Sequence, residues 1–240
     1  MAQNRVRERS EIAAQLVGYA SQARYATRAN FLFDGIAFSD STVLEVGCGT
    51  GAWVIWAAIN GAKQAIGIEP ESDGSTSQTL ETLRQTVNAL GLNETVLAYD
   101  YFLHQLPMEE GKYDTVILYN VINHLNEQAV VDLHENQESF SQFLNIATDL
   151  HRRMKPGGTI IIADCGRTNF WDCIGLSSPF AKNIEWAKHQ DPVVWSRVFV
   201  SAGFRLLDIR WSPLQPFTNI TANRFVQYLT CSHFVLRLNA

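Results

Sequence analysis

The chain has 240 residues, of which 46% are hydrophobic, and its 24 acidic residues outnumber its 19 basic residues to give a formal net charge of −5. This balance argues against nucleic acid as a partner, because phosphate binding needs clustered Lys and Arg, which no stretch supplies. No apolar run approaches the ~20 residues that span a bilayer, no basic start precedes an apolar leader, and no two cysteines form a C-x-x-C pair. We therefore expect a soluble, cytoplasmic protein without membrane contact, disulfide framework or zinc site.

Apolar residues recur at helical spacing from Val6 to about Phe33, which predicts one or two amphipathic helices before the first strand. Beyond them, short β-branched runs alternate with amphipathic segments that end at glycines. The predicted strands cover residues 42–46, 65–69, 95–99, 113–119 and 159–163, and the predicted helices cover 52–60, 77–90 and roughly 127–154. A turn at residues 155–158 is expected to separate the last helix from the fifth strand. This alternation predicts right-handed crossovers and a parallel sheet covered on both faces.

The end of the chain breaks this alternation. Residues 204–211 and 225–238 are predicted as two strands with only a loop between them, so the sheet should close with an antiparallel pair. The preceding segment, residues 167–203, is rich in aromatic side chains. We therefore predict a three-layer α/β sandwich with a seven-stranded, mostly parallel sheet and an antiparallel final strand, formed by residues 1–240 as a single domain.

A glycine-rich turn follows the first predicted strand. Gly47, Gly49 and Gly51 come directly after the strand and before a helix, where the absence of a Cβ lets the backbone approach a ligand closely. This arrangement predicts a nucleotide pocket at the carboxyl ends of the strands. The same residues also fit the dinucleotide pattern G-x-G-x-x-A, which ends at Ala52, and Glu69 suits a ribose diol in either kind of pocket.

The run Glu-Val-Gly-Cys-Gly-Thr-Gly at residues 45–51 resembles the first motif of the class I, Rossmann-like methyltransferases that use S-adenosylmethionine. In that family an acid stands two residues before the first glycine, as Glu45 does here, and helps to hold the methionine part of the cofactor, commonly through water. The resemblance continues at residues 67–70, 100–101, 113–114 with 120, and 154–158, and the final hairpin is also typical of the family. It covers roughly residues 43–163, about half of the chain.

The resemblance implies S-adenosylmethionine as the cofactor and assigns parts of its site. The acid at the end of the second strand would bind the ribose, and the pair after the third strand would lie at the adenine. The implied cofactor-binding residues are Glu45, Gly47, Gly49, Gly51, Glu69, Pro70, Asp100, Tyr101 and Asn120.

The methyl acceptor is predicted less directly. Residues 120–123 read Asn-Val-Ile-Asn, whereas family members that methylate amino groups of bases or glutamine have Asn or Asp followed by two prolines. A single Asp164 after the fifth strand is not the carboxylate cluster that a hard metal ion prefers, so no metal is expected. We expect transfer to an oxygen or nitrogen of a small organic acceptor. We expect the single domain to comprise four parts: an N-terminal helical cap (residues 1–37), a cofactor-binding core (38–166), an aromatic-rich acceptor lid (167–203) and a closing hairpin (204–240).

Three side chains are candidates for catalysis. His124, just beyond the fourth strand, could accept a proton from the acceptor, and His189 in the aromatic segment and Asp164 after the fifth strand are the other candidates. A base is needed only if the acceptor starts protonated, because the methyl donor is already activated. Two alternative functions stay open, an NAD-dependent oxidoreductase and a cofactor-binding, methyltransferase-like module without turnover. The sequence also leaves the acceptor and the oligomeric state open.

Overall fold

A computed structural model describes residues 2–71, 78–214 and 221–240, with side chains from residue 6 onward. The strands are β1 Thr42–Val46, β2 Gln64–Ile68, β3 Val96–Tyr99, β4 Tyr113–Tyr119, β5 Met154–Cys165, β6 Arg205–Trp211 and β7 His233–Asn239. The α-helices are α1 Ala2–Leu16, α2 Gln22–Leu32, α3 Ala52–Ile59, α4 Thr79–Ala89, α5 Glu127–Val130, α6 Gln137–Arg153, α7 Phe170–Cys173, α8 Pro192–Ser201 and α9 Arg224–Leu229. Short 3-10 helices lie at Leu103–Gln105, Ile122–Leu125 and Trp186–Lys188.

The described strands form one seven-stranded sheet in the order β3-β2-β1-β4-β5-β7-β6. β1 is parallel to β2 and β2 to β3, whereas β7 is antiparallel to both β5 and β6. The predicted fold class, with an antiparallel final strand in a mostly parallel sheet, is therefore confirmed. No helix within the described ranges is long and apolar enough to cross a membrane.

The chain divides into two compact units, residues 1–117 and 118–240. In the first unit, β1 and β2 are buried along nearly their whole length. Helix α3 packs between these strands and α1, because the sequence of α3 is almost entirely apolar and must be buried on all sides. Tyr25 of α2 is buried, stacks on Trp53 of α3 with ring centroids 5.7 Å apart, and donates a hydrogen bond of 2.5 Å to the carbonyl of Ala52. Helix α2 therefore packs against, and is hydrogen-bonded to, the start of α3, the helix that follows the glycine turn.

The second unit packs α6 and α8 together and pairs its antiparallel strands through long registers. The predicted helix over 127–154 is interrupted after α5, and α6 restarts where the side chain of Asn136 accepts hydrogen bonds from the backbone N–H groups of Glu138 and Ser139. An Asn in this position satisfies donors that the first helical turn leaves free.

Two predicted boundaries in this unit are wrong. Residues 155–158 are not a turn but part of β5, because the N–H of Gly157 donates to the carbonyl of Ala240 and the N–H of Ala240 to the carbonyl of Gly158. The second predicted strand of the hairpin begins at His233 rather than Phe225. The residues before it form α9, which the side chain of Asn223 caps by accepting from the N–H of Val226 at 3.0 Å.

Candidate active site

The glycine turn between β1 and α3 takes a backbone path that only glycine adopts easily. Gly47, Gly49 and Gly51 all have positive φ angles, of 68°, 49° and 83°. A Cβ on Gly51 would lie 2.2 Å from a methyl carbon of Leu83, so this glycine is also required by packing. A Cβ on Gly49 would have no described atom within 4 Å. The turn therefore presents an open face at Gly49, where the resemblance puts the cofactor.

Cys48, inside the turn, is held by a tight contact with β2. A Cβ on Gly67 would lie 2.7 Å from the Cys48 sulfur. The thiol is buried, and burial, together with the charges of Glu45 and Glu69, raises its pKa well above the ordinary value. A thiol held protonated in this way is a packing group rather than a nucleophile.

Glu69 comes directly after β2 and joins it to the glycine turn. Its carboxylate accepts a hydrogen bond of 2.9 Å from the N–H of Gly49, and its side chain stays partly exposed, as does the following Pro70. The oxygen that accepts this hydrogen bond keeps a second lone pair, and the other carboxylate oxygen keeps both of its lone pairs. Glu69 can therefore still accept hydrogen bonds from both hydroxyls of a ribose. The predicted ribose acid therefore lies beside the predicted glycine turn.

Asp100 and Tyr101 follow β3. Asp100 is exposed and accepts a hydrogen bond of 2.9 Å from the N–H of Glu71, which fixes the chain just beyond Glu69. The rings of Tyr99 and Tyr101 stack with centroids 5.3 Å apart and an angle of 6° between their planes. The two predicted adenine residues are thus brought to the same edge as the ribose acid, with an aromatic surface beside them.

Glu45 is buried on β1, and its carboxylate accepts a hydrogen bond of 3.0 Å from the N–H of Val54 in the first turn of α3. Burial raises the pKa of this carboxyl group well above its ordinary value, and the charge of Glu69 adds to the rise, while hydrogen bonds from the backbone of Val54 and Trp53 oppose it. The acid of the first motif therefore also fixes the start of α3.

In the second unit, Asn120 follows β4 with a φ of 53°, an unusual angle for a residue with a side chain. Its N–H donates to the carbonyl of Ala163 at 2.7 Å, and its side-chain oxygen lies 3.2 Å from Nε2 of His233. The other ring nitrogen of His233 lies 2.7 Å from the hydroxyl of Ser212. His233 is not among the residues predicted from the sequence, where it lies inside the strand predicted at 225–238; in the structure it is the first residue of β7.

His189 and Asp164 lie together in the second unit. Nδ1 of His189 is 3.3 Å from Oδ1 of Asp164, close enough for an ion pair although not aligned as a hydrogen bond. The side chain of Asp164 is 2% exposed and that of His189 10%. Oδ1 of Asp164 accepts from the N–H of Cys165, while Oδ2 has no hydrogen-bond partner among the described residues. Two of the three predicted catalytic side chains therefore form a buried pair.

His124, the third candidate, lies on the surface. Its side chain is 57% exposed, and its Nδ1 is 2.7 Å from a carboxylate oxygen of Glu127, which also forms an ion pair with Lys188. The pKa of Glu127 is lowered, first by the hydrogen bond with His124 and then by the charges of His124 and Lys188, with its slight burial acting in the opposite direction. This imidazole is thus engaged in an exposed charge cluster.

The aromatic segment 167–203 is not uniform. Trp195 of α8 is fully buried and packs on Phe143 with ring centroids 5.0 Å apart, and Trp186 is also buried. Phe180 is 58% exposed. Some of the predicted lid aromatics are therefore core residues of the second unit, while others remain available at the surface.

No cluster of three or more His, Cys, Asp or Glu side chains suited to a metal ion occurs among the described residues. The four cysteines are all free thiols: Cys48 and Cys165 are buried, Cys231 is partly buried and Cys173 is exposed.

Comparison with known proteins assigns the class. The family model described as "Methyltransferase domain" matches residues 19–209. Among solved structures, the fold is similar to an S-adenosylmethionine-dependent methyltransferase from Mesorhizobium loti, with 14% identity, a TM-score of 0.59, and 94% of this chain and 100% of that chain covered. It is also similar to a methyltransferase of the same type from Aquifex aeolicus, with 15% identity, a TM-score of 0.57, and 90% and 97% of the two chains covered.

A third similar structure is the geranyl diphosphate C-methyltransferase of Streptomyces coelicolor A3(2), in complex with Mg²⁺, geranyl diphosphate and S-adenosyl-L-homocysteine. It shares 16% identity and a TM-score of 0.61, with 92% of this chain and 81% of that chain covered. No curated protein matches the chain in sequence.

The family match and the fold define a class I methyltransferase enzyme. The chain belongs to the methyltransferase domain family, and its cofactor is S-adenosylmethionine. The residues of the first unit fit this cofactor, because Gly49 leaves open space beside Glu69, whose carboxylate keeps free lone pairs.

Proposed function

We propose that this methyltransferase acts on an oxygen or nitrogen of a small organic acceptor and that His189, oriented by Asp164, takes the acceptor's proton. The observation that carries the proposal is the buried pair of Asp164 and His189, with 3.3 Å between its nearest atoms. A carboxylate beside Nδ1 favours the tautomer with a proton on that nitrogen, which leaves Nε2 free to accept one.

Burial distinguishes this pair from His124. A general base works best where water is excluded, since its proton transfer then serves the acceptor rather than bulk solvent. His189 is almost enclosed, whereas His124 is more than half exposed and already bonded to Glu127. His124 therefore remains the alternative base that the experiment must exclude.

When bound, S-adenosylmethionine supplies a methyl group on a positively charged sulfur, whose departure leaves a neutral thioether. Gly49 and Glu69 would hold this cofactor, and its methyl carbon would bond to a lone pair of the acceptor oxygen or nitrogen as the carbon–sulfur bond breaks. The acceptor's proton moves to Nε2 of His189, and Asp164 stabilises the imidazolium that results. Most of the rate then depends on alignment of the acceptor and exclusion of water.

The small size of the acceptor is supported by the chain's surface chemistry. The net charge of −5 and the Asn-Val-Ile-Asn sequence at 120–123 do not suit a nucleic acid. We propose that segment 167–203 serves the acceptor, through the aromatics that it leaves exposed, such as Phe180.

The test begins with labelled S-adenosylmethionine and fractionated host metabolites, which identifies the acceptor by the label it takes up. On that acceptor, His189→Gln should lower kcat by roughly 10²–10⁴-fold, the range typical of a general base, and remove the acidic limb of the pH–rate profile. The limb arises because a protonated imidazole cannot accept a proton. Asp164→Asn should lower kcat as well, and the affinity for S-adenosylhomocysteine should stay unchanged in both variants.

His104→Gln is the matched control, because His104 is an exposed histidine of the first unit. If His124→Gln removes the acidic limb while His189→Gln retains it, the base is His124 and the buried pair is structural. Label found only on carbon of the acceptor would contradict transfer to oxygen or nitrogen.

A further inference from the structure

A cavity of about 870 Å³ lies within the second unit and is separate from the buried pair. Its walls come from the chain after β5, the start of α8, the end of β6, and α9. A volume of this size falls in the range of about 300–1,000 Å³ that is typical of sites for small organic molecules. The cavity is therefore large enough for a ligand of acceptor size.

The cavity wall carries apolar side chains that face solvent. Val193 of α8 and Phe225 of α9 are each 69% exposed, the highest values among the large hydrophobic residues described, and both line the cavity. Trp211 of β6 lines it too, with its ring packed edge-on against Phe234 at a centroid distance of 6.4 Å. Apolar side chains that converge on one cavity from three elements, two of them largely exposed, indicate a binding surface rather than scattered surface residues.

The wall carries one carboxylate, Asp191, and one guanidinium, Arg224. The carboxylate of Asp191 is already engaged, because it accepts hydrogen bonds from the hydroxyl of Thr168 at 2.6 Å and from the N–H of Thr168 at 3.2 Å. Arg224 is exposed, and no ion pair with any described residue compensates its guanidinium. A guanidinium presents parallel N–H groups that match a carboxylate or phosphate.

The cavity and the buried pair are built from the same two chain segments. Asp164 lies near the end of β5 rather than after it, Thr168 lies just beyond the strand, and His189 and Asp191 lie on the segment that enters α8. The segments are pressed together, since a Cβ on Gly166 would lie 2.8 Å from a carboxylate oxygen of Asp191. A molecule held in the cavity is thus held by the backbone that also carries the proposed base.

We propose that this cavity binds the acceptor's tail, and that the tail is an organic anion with an apolar body. This inference rests on the proposed function, because it assigns the cavity to the same acceptor. The apolar body packs against Phe225, Val193 and Trp211, and the carboxylate or phosphate pairs with Arg224.

The test uses two probes with the same body, 3-phenylpropionate and the neutral 3-phenylpropan-1-ol, titrated calorimetrically into the full chain. The acid should bind at least about tenfold more tightly than the alcohol, the effect of one charge-assisted contact. Arg224→Gln should abolish this difference, and Phe225→Ser should weaken both probes. Arg197→Gln changes an exposed arginine of α8 that does not line the cavity, and it should alter the affinity for neither probe. Both Arg224 and Phe225 are exposed, so these variants should fold normally.

Equal affinity for the two probes, no binding of the acid at millimolar concentration, or an unchanged preference in Arg224→Gln would overturn the cavity assignment. The proposed function fails differently, through an unchanged pH–rate profile in His189→Gln. Once the acceptor is known, Arg224→Gln should raise its KM about tenfold or more with kcat unchanged, since Arg224 would contribute binding common to ground and transition states. An unchanged KM would show that the tail does not occupy the cavity.

Discussion

At the scale of single residues, the cofactor turn depends on contacts that its own motif does not contain. Gly47, Gly49 and Gly51 could be predicted from spacing, because their role is local and conformational. The need for Gly67 could not, since it arises from a contact with Cys48, on a neighbouring part of the fold. The sequence shows which residues are glycines but not which atoms approach the missing side chains.

This contact predicts a coupled pair of substitutions. Gly67→Ala would place a methyl group 2.7 Å from the Cys48 sulfur and should lower the free energy of unfolding by about 1–3 kcal/mol, the usual cost of overfilling a packed core. Cys48→Ala removes the sulfur, so the double variant should recover part of that loss. Urea denaturation of the wild type, both single variants and the double variant measures the coupling. Simple addition of the two single losses would show that Cys48 and Gly67 do not share the contact.

At the scale of elements, the start of β7 is tied to the residue that follows β4. For a neutral ring of His233, donation from Nε2–H to the oxygen of Asn120 leaves Nδ1 to accept from the hydroxyl of Ser212. Gln227 of α9 joins the same network, because its side-chain oxygen accepts from the N–H of His233 at 2.9 Å. This network holds Asn120 in its left-handed conformation.

His233→Leu should therefore destabilise the protein by about 1–3 kcal/mol, because it removes the hydrogen bonds of the ring to the buried hydroxyl of Ser212 and to the exposed side chain of Asn120. His233→Gln, whose amide can both donate and accept, should lose less. Urea denaturation measures both, and titration with S-adenosylhomocysteine tests whether Asn120 serves the cofactor, as the resemblance implies. Equal stability of the Leu variant and the wild type would mean that the network contributes nothing.

Element boundaries show where local pattern suffices. β1 and β4 begin and end at the predicted residues because their apolar runs are bounded by polar or glycine residues. The strand start at residues 154–158 and the helix at 224–229 escaped prediction. The first depends on pairing with Ala240, far along the chain, and the second on a cap at Asn223 within a segment whose apolar residues also suit a strand.

At the scale of the whole molecule, Glu45 links stability to pH. Its pKa in the folded chain is raised above the ordinary value of 4.5, so the folded state holds the proton more tightly than the unfolded chain does. The free energy of unfolding should therefore be unaffected by this group below that value and fall as the pH rises from there to the folded pKa.

Glu45→Gln cannot titrate and keeps an oxygen for the N–H of Val54, so its stability should fall less over that pH range. Urea denaturation at a series of pH values, without cofactor, measures the difference in free energy of unfolding between the wild type and the variant. The contributions of all other titrating groups cancel in this difference. A wild type that gains stability relative to the variant as pH rises would reverse the sign and contradict the raised pKa. The variant should also bind S-adenosylhomocysteine more weakly, because a carboxylate suits the ammonium of the cofactor better than an amide does.

The fold class and the cofactor could be predicted because several ordered motifs each have a local physical reason. The acceptor side could not. The pairing of His189 with Asp164 joins residues 25 positions apart, and the cavity beside Arg224 is assembled from four separate segments.

The distribution of the four thiols makes the enzyme suitable for site-selective fluorescent labelling. A dye that alkylates thiols should attach first at exposed Cys173, because Cys48 and Cys165 are buried and Cys231 is partly buried. Cys173 lies on α7, which packs against α9, and α9 carries the wall residues Arg224, Phe225 and Tyr228, so a dye there would report occupancy of the cavity by its change in emission. The native chain thus carries its own attachment point for a screen of acceptors, without an engineered cysteine.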